Sequence, residues 1–315
     1  PGLDTYVDGT GWGASSWGDG TFGSSSAIGS NNQLRLWSLD SFGEDLIACP
    51  RGGSVYYWDY STFSTRAVAL ADLAGANLAP TLGLQVLVSD VDRHVLVLGA
   101  DPIDAPGTGR TGAIDPLLIA FSDQENAAEW QPLSTNTAGS LRCSAGSQII
   151  GGLRARQETL IWTDVALYSL QFIGAPLTFG LTLINEGVSL IGPNAPVNTP
   201  TGIFWMDKKG FYAYQGAVQP VPCSVHSYVF DDFNEDQAFQ VFGFLNKQFN
   251  EVGWFYCSGS SSTVDRYVTY NYVDQTWSIG QLARTAWLDE GIESVPRAAG
   301  YDGTSNYIYS HETGF

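Results

Sequence analysis

From residue 34 onward the chain breaks into aromatic or β-branched runs of about five residues, separated by Asp, Asn, Gly and Pro, and this rhythm is that of strands and turns. The runs are 34–37, 54–58, 85–88, 95–98, 117–121, 159–162, 167–172, 202–205, 211–214, 252–256, 267–272 and 307–309. Several are joined by hairpin-like turns, as at 89–94 and 207–210, where Asp and Gly reverse the backbone. A helical chain needs long apolar stretches at 3.6-residue spacing, and only 67–79 and 231–242 offer short candidates. Composition agrees: 36 Gly, 14 Pro, 10 Trp, 15 Tyr and 16 Phe stand against a single Met. The expected fold class is all-β.

A slower period overlies the hairpins. A strand, an Asp-containing turn and then a Trp recur as Phe121-Ser122-Asp123 before Trp130, and as residues 270–274 before Trp277. Hairpin clusters begin near residues 34, 84, 147, 201 and 250, and a last strand begins near 305. A step of roughly 50 residues suits four-stranded propeller blades. The expectation is a β-propeller of about six blades over residues 34–315, its last blade completed by N-terminal residues. A pair of β-sandwiches fits five comparable clusters less well. Trp58, Trp162, Trp205 and Trp277 are expected to pack between adjacent sheets.

Residues 1–33 form a Gly/Trp-rich arm in which Trp12-Gly13, Trp17-Gly18 and Phe22-Gly23 repeat with a step of five. That spacing keeps the aromatics on neither one strand face nor one helix face. Two readings stay open: an arm that docks on a neighbouring subunit through Trp12, Trp17 and Phe22, or a segment folded back on its own domain.

Charge narrows the function. The 14 Lys+Arg are outnumbered by 32 Asp+Glu, for a net charge of −18. Binding DNA or RNA through phosphate neutralisation needs the opposite balance. No run of 18 apolar residues exists, and the first residues lack the basic and apolar regions of a signal peptide, so no membrane insertion is expected. The chain starts on Pro1, so a processed, trimmed or partial chain is expected. Cys49, Cys143, Cys223 and Cys257 stand singly, pointing to free and mostly buried thiols rather than a zinc site or a disulfide scaffold.

Catalytic patterns fail residue by residue. The run Val95–Leu98 followed by residues 104–111 resembles a strand entering a phosphate loop, but Asp104 and Arg110 stand where that loop needs Gly and Lys. Residues 99–115 are expected to be an inter-strand loop. His94, His226 and His311 have no second His at metal-ligand spacing, and as single histidines they are expected on the polar surface. No G-x-S-x-G elbow occurs. Asp231, Asp232, Glu235 and Asp236 invite comparison with glycosidase acids, but four acids within six residues mark an exposed helix start more readily than a pair held across a pocket. The turn at Ser122-Asp123 before Trp130 is similar to sialidase Asp-box turns without their Gly-x-Thr-Trp core. Asp4, Asp8 and Asp19 match no calcium loop. No catalytic residue, metal or cofactor is expected.

Two blocks resemble a family of tailed-bacteriophage virion proteins. The first comprises residues 11–13, 17–20, 34–38, 40–46, 51–53 and 57–59, including Trp12, Trp17, Trp37 and Trp58; the second comprises 251–258, 265–272, Trp277 and 283–289. Members are described as tail or stabilisation proteins. The resemblance implies a β-propeller like that of short-tail nozzles, which form rings, commonly hexameric, below the adaptor that joins the portal. It further implies a virion protein assembled in the host bacterial cytoplasm, with copies of itself, the tail adaptor and other tail proteins as partners. Genomic DNA would pass through without specific binding, and Asp231, Asp232, Glu235 and Asp236 would form an acidic lumen or surface cluster. The family brings no catalytic residues. A host-glycan-binding or glycan-cleaving propeller and a monomeric protein-interaction propeller are the competing classes.

Overall fold

The computed structural model describes residues 3–5, 34–89, 92–174, 176–289, 294–301 and 304–314. The chain divides into two compact units, Pro1–Gly187 and Val188–Phe315.

The first unit holds three antiparallel sheets, each with its strands side by side in chain order. They are β1 (Trp37–Phe42), β2 (Asp45–Pro50), β3 (Tyr56–Trp58) and β4 (Val68–Ala69); β5 (Gln85–Val88), β6 (Val95–Leu98), β7 (Leu118–Phe121) and β8 (Gly139–Arg142); and β9 (Ile149–Arg154), β10 (Thr159–Thr163), β11 (Ala166–Gly174) and β12 (Thr178–Glu186). The second unit repeats the plan with β13 (Val197–Thr199), β14 (Gly202–Asp207), β15 (Gly210–Tyr214) and β16 (Val218–Val221), then β17 (Phe242–Asn246), β18 (Glu251–Tyr256), β19 (Arg266–Asn271) and β20 (Thr276–Gln281). Its third sheet has three strands, β21 (Ala286–Leu288), β22 (Arg297–Tyr301) and β23 (Asn306–Ser310). The fold is all-β, a β-propeller arrangement of six blades.

The second strand of a sheet is covered on both faces, which explains its continuous apolar run: every residue of Val95-Leu96-Val97-Leu98 is buried, as is every residue of β10. Sheets three and four repeat one phrase there, Ile161-Trp162-Thr163-Asp164 and Phe204-Trp205-Met206-Asp207. Both indoles are fully buried. Each Asp reaches back to the loop that precedes its sheet. Asp164 accepts from Ser147 N at 2.7 Å and Ser147 Oγ at 2.6 Å, and Asp207 accepts from Ser189 N at 3.1 Å. Asp101, after β6, does the same for the amides of Thr81 and Leu82 at 3.0 and 3.3 Å. The carboxylate supplies the acceptor that the irregular loop backbone lacks.

Within the first unit, side chains stitch the first strands together. Val86 N donates to Ser38 Oγ at 3.0 Å and Val88 N donates to Asp40 at 2.7 Å, joining β5 to β1. Gln85 grips Gly152 through both its carbonyl and its amide, at 2.9 and 2.7 Å, joining β5 to β9. In the second unit Gly243 N donates to Asn194 O at 2.7 Å, and Trp254 Nε1 donates to Ala195 O at 2.8 Å.

Three expectations need correction. As for helix, residues 67–79 hold just the short 3-10 turn Leu70–Asp72 after β4, and 231–242 hold the 3-10 turn Glu235–Gln240, because neither segment buries a continuous stripe. The one α-helix among the described residues, α1 (His226–Phe230), precedes the second of these. The last sheet has three described strands, the first beginning at Ala286, and the N-terminal residues expected to complete it lie, apart from 3–5, outside the described residues. Trp58 is half-buried and donates to Thr65 O of its own loop at 3.2 Å, so it does not fill an inter-sheet space. Trp277 does pack between sheets, its ring 4.6 Å from Phe211 and its Nε1 2.8 Å from Pro222 O. Cys49, Cys143 and Cys257 are buried free thiols that burial pushes up to about 12, and Cys223 is partly exposed.

Candidate functional site

The loop resembling a phosphate cradle is already filled by its own acid. Asp104 accepts from Thr108 N at 2.8 Å and from Gly109 N at 3.2 Å, taking the amides an anion would use. Those bonds hold its carboxyl below the usual range. Arg110 is equally committed, donating to Leu78 O and Asp101 O at 2.7 Å each. The segment leads into β7 as a plain inter-strand loop.

A cleft of about 290 Å³ in the first unit is lined by Asp92, Arg154, Arg156, Glu158, Phe172 and Phe179 among others. Beneath it runs a polar chain. His94 Nδ1 lies 2.6 Å from Asp92 Oδ2, and His94 Nε2 lies 2.9 Å from Thr137 Oγ1. Thr137 Oγ1 donates to Asp123 at 2.7 Å and accepts from Gln124 N at 3.0 Å. With its single hydroxyl proton spent on Asp123, Thr137 Oγ1 is left to accept from His94 Nε2 and from Gln124 N. Burial works to raise the Asp123 carboxyl, but the Thr137 hydroxyl and amide, the Gln124 amide and the His94 charge together bring it below its ordinary value. Asp92 also takes a hydrogen bond from Ser89 Oγ.

In order along the chain of contacts, carboxylate, imidazole and hydroxyl mimic an acid–base relay, yet His94 is fully buried. Phe172 and Phe179 cover it at 5.8 and 5.1 Å between ring centres. A relay must reach a substrate through an open hydroxyl, and Thr137 has no lone pair or proton to spare. The assembly acts instead as a clip, joining the β5–β6 turn to the β7–β8 loop and, through Thr178 Oγ1 donating to Thr137 O at 3.0 Å, to the β11–β12 hairpin. His94 therefore departs from its expected surface position, because two carboxylates make its burial tolerable. The exposed His226, 3.1 Å from Lys209 O, keeps to it, and half-buried His311 contacts Arg284 at 3.0 Å.

The acidic cluster follows α1. Asp231 caps the helix end and is exposed; Glu235 and Asp236 open the 3-10 turn, where Asn234 accepts from Asp236 N at 3.1 Å. Asp232 is the exception, bound to Arg266 at 2.8 Å. Arg266 in turn lies 5.4 Å over the Tyr228 ring. Three of the four acids thus face solvent and one is neutralised, an arrangement of a surface patch rather than of two carboxyls across a pocket. No group of three or more metal-ligating side chains forms among the described residues. Asp4 pairs with Arg35 at 2.8 Å, while Asp8, Asp19, Trp12, Trp17 and Phe22 lie outside the described residues.

No protein-family model matches the sequence, and no curated protein does. Among solved structures, the extracellular domain of the hybrid two-component system BT4673 of B. thetaiotaomicron aligns with a TM-score of 0.53 at 12% identity over 89% of this chain and 32% of that one. BamB from Moraxella catarrhalis aligns at 0.46 and 10% identity, over 88% of this chain and 73% of that one, and the computationally designed Ika8 protein at 0.47 and 10% identity, over 90% and 74%. The chain spans about a third of the length of the first of these, and the likeness is one of fold.

Proposed function

We propose that the chain is a structural protein of a phage tail, a nozzle or hub subunit that assembles as a ring below the adaptor and portal and conducts DNA without catalysis. The observation that carries this reading is where the two resembling blocks fall. Apart from residues 11–13 and 17–20, which lie outside the described residues, the first falls on β1 to β3 and the second on β18, β19, Trp277 of β20 and β21, so the likeness runs along consecutive strands of the blades. The net charge of −18 suits such a channel, since like charge keeps DNA from adhering to a wall. A host-glycan-directed propeller would gather acids and exposed Trp in one pocket, whereas the cleft presents Phe172 and Phe179 and no Trp.

The test is the mass of the purified chain by light scattering with negative-stain images, alone and with the purified tail adaptor. Rings of several copies support the reading; a monomer indifferent to the adaptor overturns it in favour of an interaction or glycan propeller. Deleting residues 1–30 should leave a folded chain that cannot enter the ring, if Trp12, Trp17 and Phe22 anchor it. Asp231→Lys, Glu235→Lys and Asp236→Lys in assembled virions should slow DNA ejection, and unchanged kinetics would remove the acidic cluster from the channel wall.

A further inference from the structure

The hairpin of β11 and β12 outruns the sheet that carries it. Its strands have nine residues each, while no other described strand exceeds six. β10 pairs with β11 only as far as Thr159 opposite Leu170, whereas β11 and β12 stay paired out to Gly174 opposite Thr178. Residues 171–174 therefore carry a two-stranded ribbon roughly 13 Å past β10, at about 3.3 Å per residue.

The end of this ribbon is apolar on both faces. Successive strand residues point to opposite sides, and Phe172 is 41% exposed, Ile173 54% and, in the turn, Leu177 68%. Phe172 rests on Phe179 at 5.8 Å between ring centres, while Ile173 lies over Gly180, where an added Cβ would stand 3.4 Å from it. Residues 165–185 carry no charged side chain. The two polar side chains of residues 171–181 are both spent within the chain, Gln171 on Glu158 at 3.3 Å and Thr178 on Thr137 O at 3.0 Å.

A protein partner covers one face of a strand pair and fixes its register through a polar rim. This ribbon end offers no polar side chain for such a rim and bares apolar side chains on both faces, so the surroundings that suit it are ones that enclose it. We propose that the tip of the β11–β12 hairpin inserts into the interfacial layer of a lipid bilayer, with Ile173 and Leu177 entering the acyl boundary and Phe172 at the collar. Interfacial elements bury about 5–10 Å, within the reach of the ribbon. Among the described residues no helix is long and apolar enough to cross a membrane, and the tip needs none, because it dips in rather than spans. The net charge of −18 selects an uncharged lipid surface, since anionic headgroups repel the chain within a Debye length. One tip holds weakly and several in a ring would add up, but the insertion stands without the ring.

The experiment floats the full chain on a density gradient with phosphatidylcholine vesicles, lipid in excess. The chain should rise with the vesicles; admixing phosphatidylglycerol at low salt should lower the bound fraction, and added salt should restore it. Ile173→Asp with Leu177→Asp should cut binding about tenfold or more at an unchanged thermal melt, and Leu177→Asp alone should cut it in part. Ile308→Asp, at a position 75% exposed on another sheet, should bind as the parent does. A parent that stays behind at every salt concentration, tip variants that float like the parent, or a loss shared by Ile308→Asp each overturns the insertion. Tip variants that float normally but no longer form rings overturn it in favour of a protein contact. Floating by a chain that light scattering shows to be monomeric supports the insertion while the ring reading falls; rings that do not float overturn the insertion and leave the ring reading standing.

Discussion

Arg51, in the turn after β2, donates through its two terminal nitrogens to the carbonyls of Ile150 and Ile149 at 3.0 and 3.2 Å, and so ties the first sheet to the first strand of the third. The side chain is 3% exposed, and its charge is solvated by backbone carbonyls in place of water. Arg51→Met keeps the volume but leaves two buried carbonyls without donors. The expected loss is about 2–4 kcal/mol in urea unfolding, and Arg51→Lys should recover only part of it because one ammonium cannot reproduce the fork. An unchanged midpoint for both would show that the carbonyls find other donors.

Trp205 tests the repeated Trp-x-Asp phrase. Its ring is fully buried, stacked on Tyr212 at 5.7 Å, and its Nε1 donates to Ser189 O at 3.0 Å. Trp205→Ala should cost about 3–5 kcal/mol by opening a cavity, and Trp205→Phe less, about 1–3, through the unpaired carbonyl and the smaller void. Calorimetric melts of both would rank the two contributions.

Much of the blade plan is legible in the residues. β5 and β6 fall on the expected runs at 85–88 and 95–98, and the runs of the later second and third strands shift by a residue or two, because strands covered on both faces are written as unbroken apolar runs. Last strands are less visible. β8 reads Gly-Ser-Leu-Arg and β16 reads Val-Gln-Pro-Val, since a strand at a sheet's rim has one neighbour and little apolar surface to bury. The Asp164 and Asp207 clasps were present as a repeated phrase, but their partners Ser147 and Ser189 stand 17 and 18 residues upstream with no local pattern to mark them. His94 was unreadable for the same reason: its setting is made by Thr137, 43 residues away.

Acid should weaken the first unit through its clasping carboxylates. Burial works to raise Asp164, but hydrogen bonds from Ser147 and Gln148 bring it below its ordinary value of 3.8; Asp115, held by Arg142, and Asp123 shift the same way. A carboxyl lowered in the folded state stabilises fully above 3.8, and that contribution is lost as pH falls through the lower folded value. Asp207 runs opposite, raised by burial, so its ionisation disfavours the fold as pH rises through and above the ordinary value. Melts recorded from pH 6 down to about pH 2 should show Tm falling most steeply below about pH 4. Asp164→Asn should flatten that limb while Asp207→Asn leaves it, and an acid limb unaltered by Asp164→Asn would remove the clasp from the account.

Gly243 sits where β17 passes the loop before β13, its amide donating to Asn194 O at 2.7 Å. A Cβ built there would stand 2.6 Å from Ala195 O and 2.5 Å from the Val197 side chain. The first contact is with backbone that also accepts the Trp254 indole at 2.8 Å, so it cannot swing aside as a flexible side chain would. Gly243→Ala must therefore part the two strands, at a cost of about 1–3 kcal/mol from overpacking. Gly75→Ala is the control for composition: its φ of +83° brings strain of its own but a Cβ there meets nothing within 4 Å. If close approach is what requires glycine at 243, its alanine variant should lose more Tm than Gly75→Ala and should also shift the fluorescence of Trp254, whose indole shares the strained carbonyl. Equal losses with an unshifted spectrum would mean that β17 relaxes away from β13 without disturbing the contact.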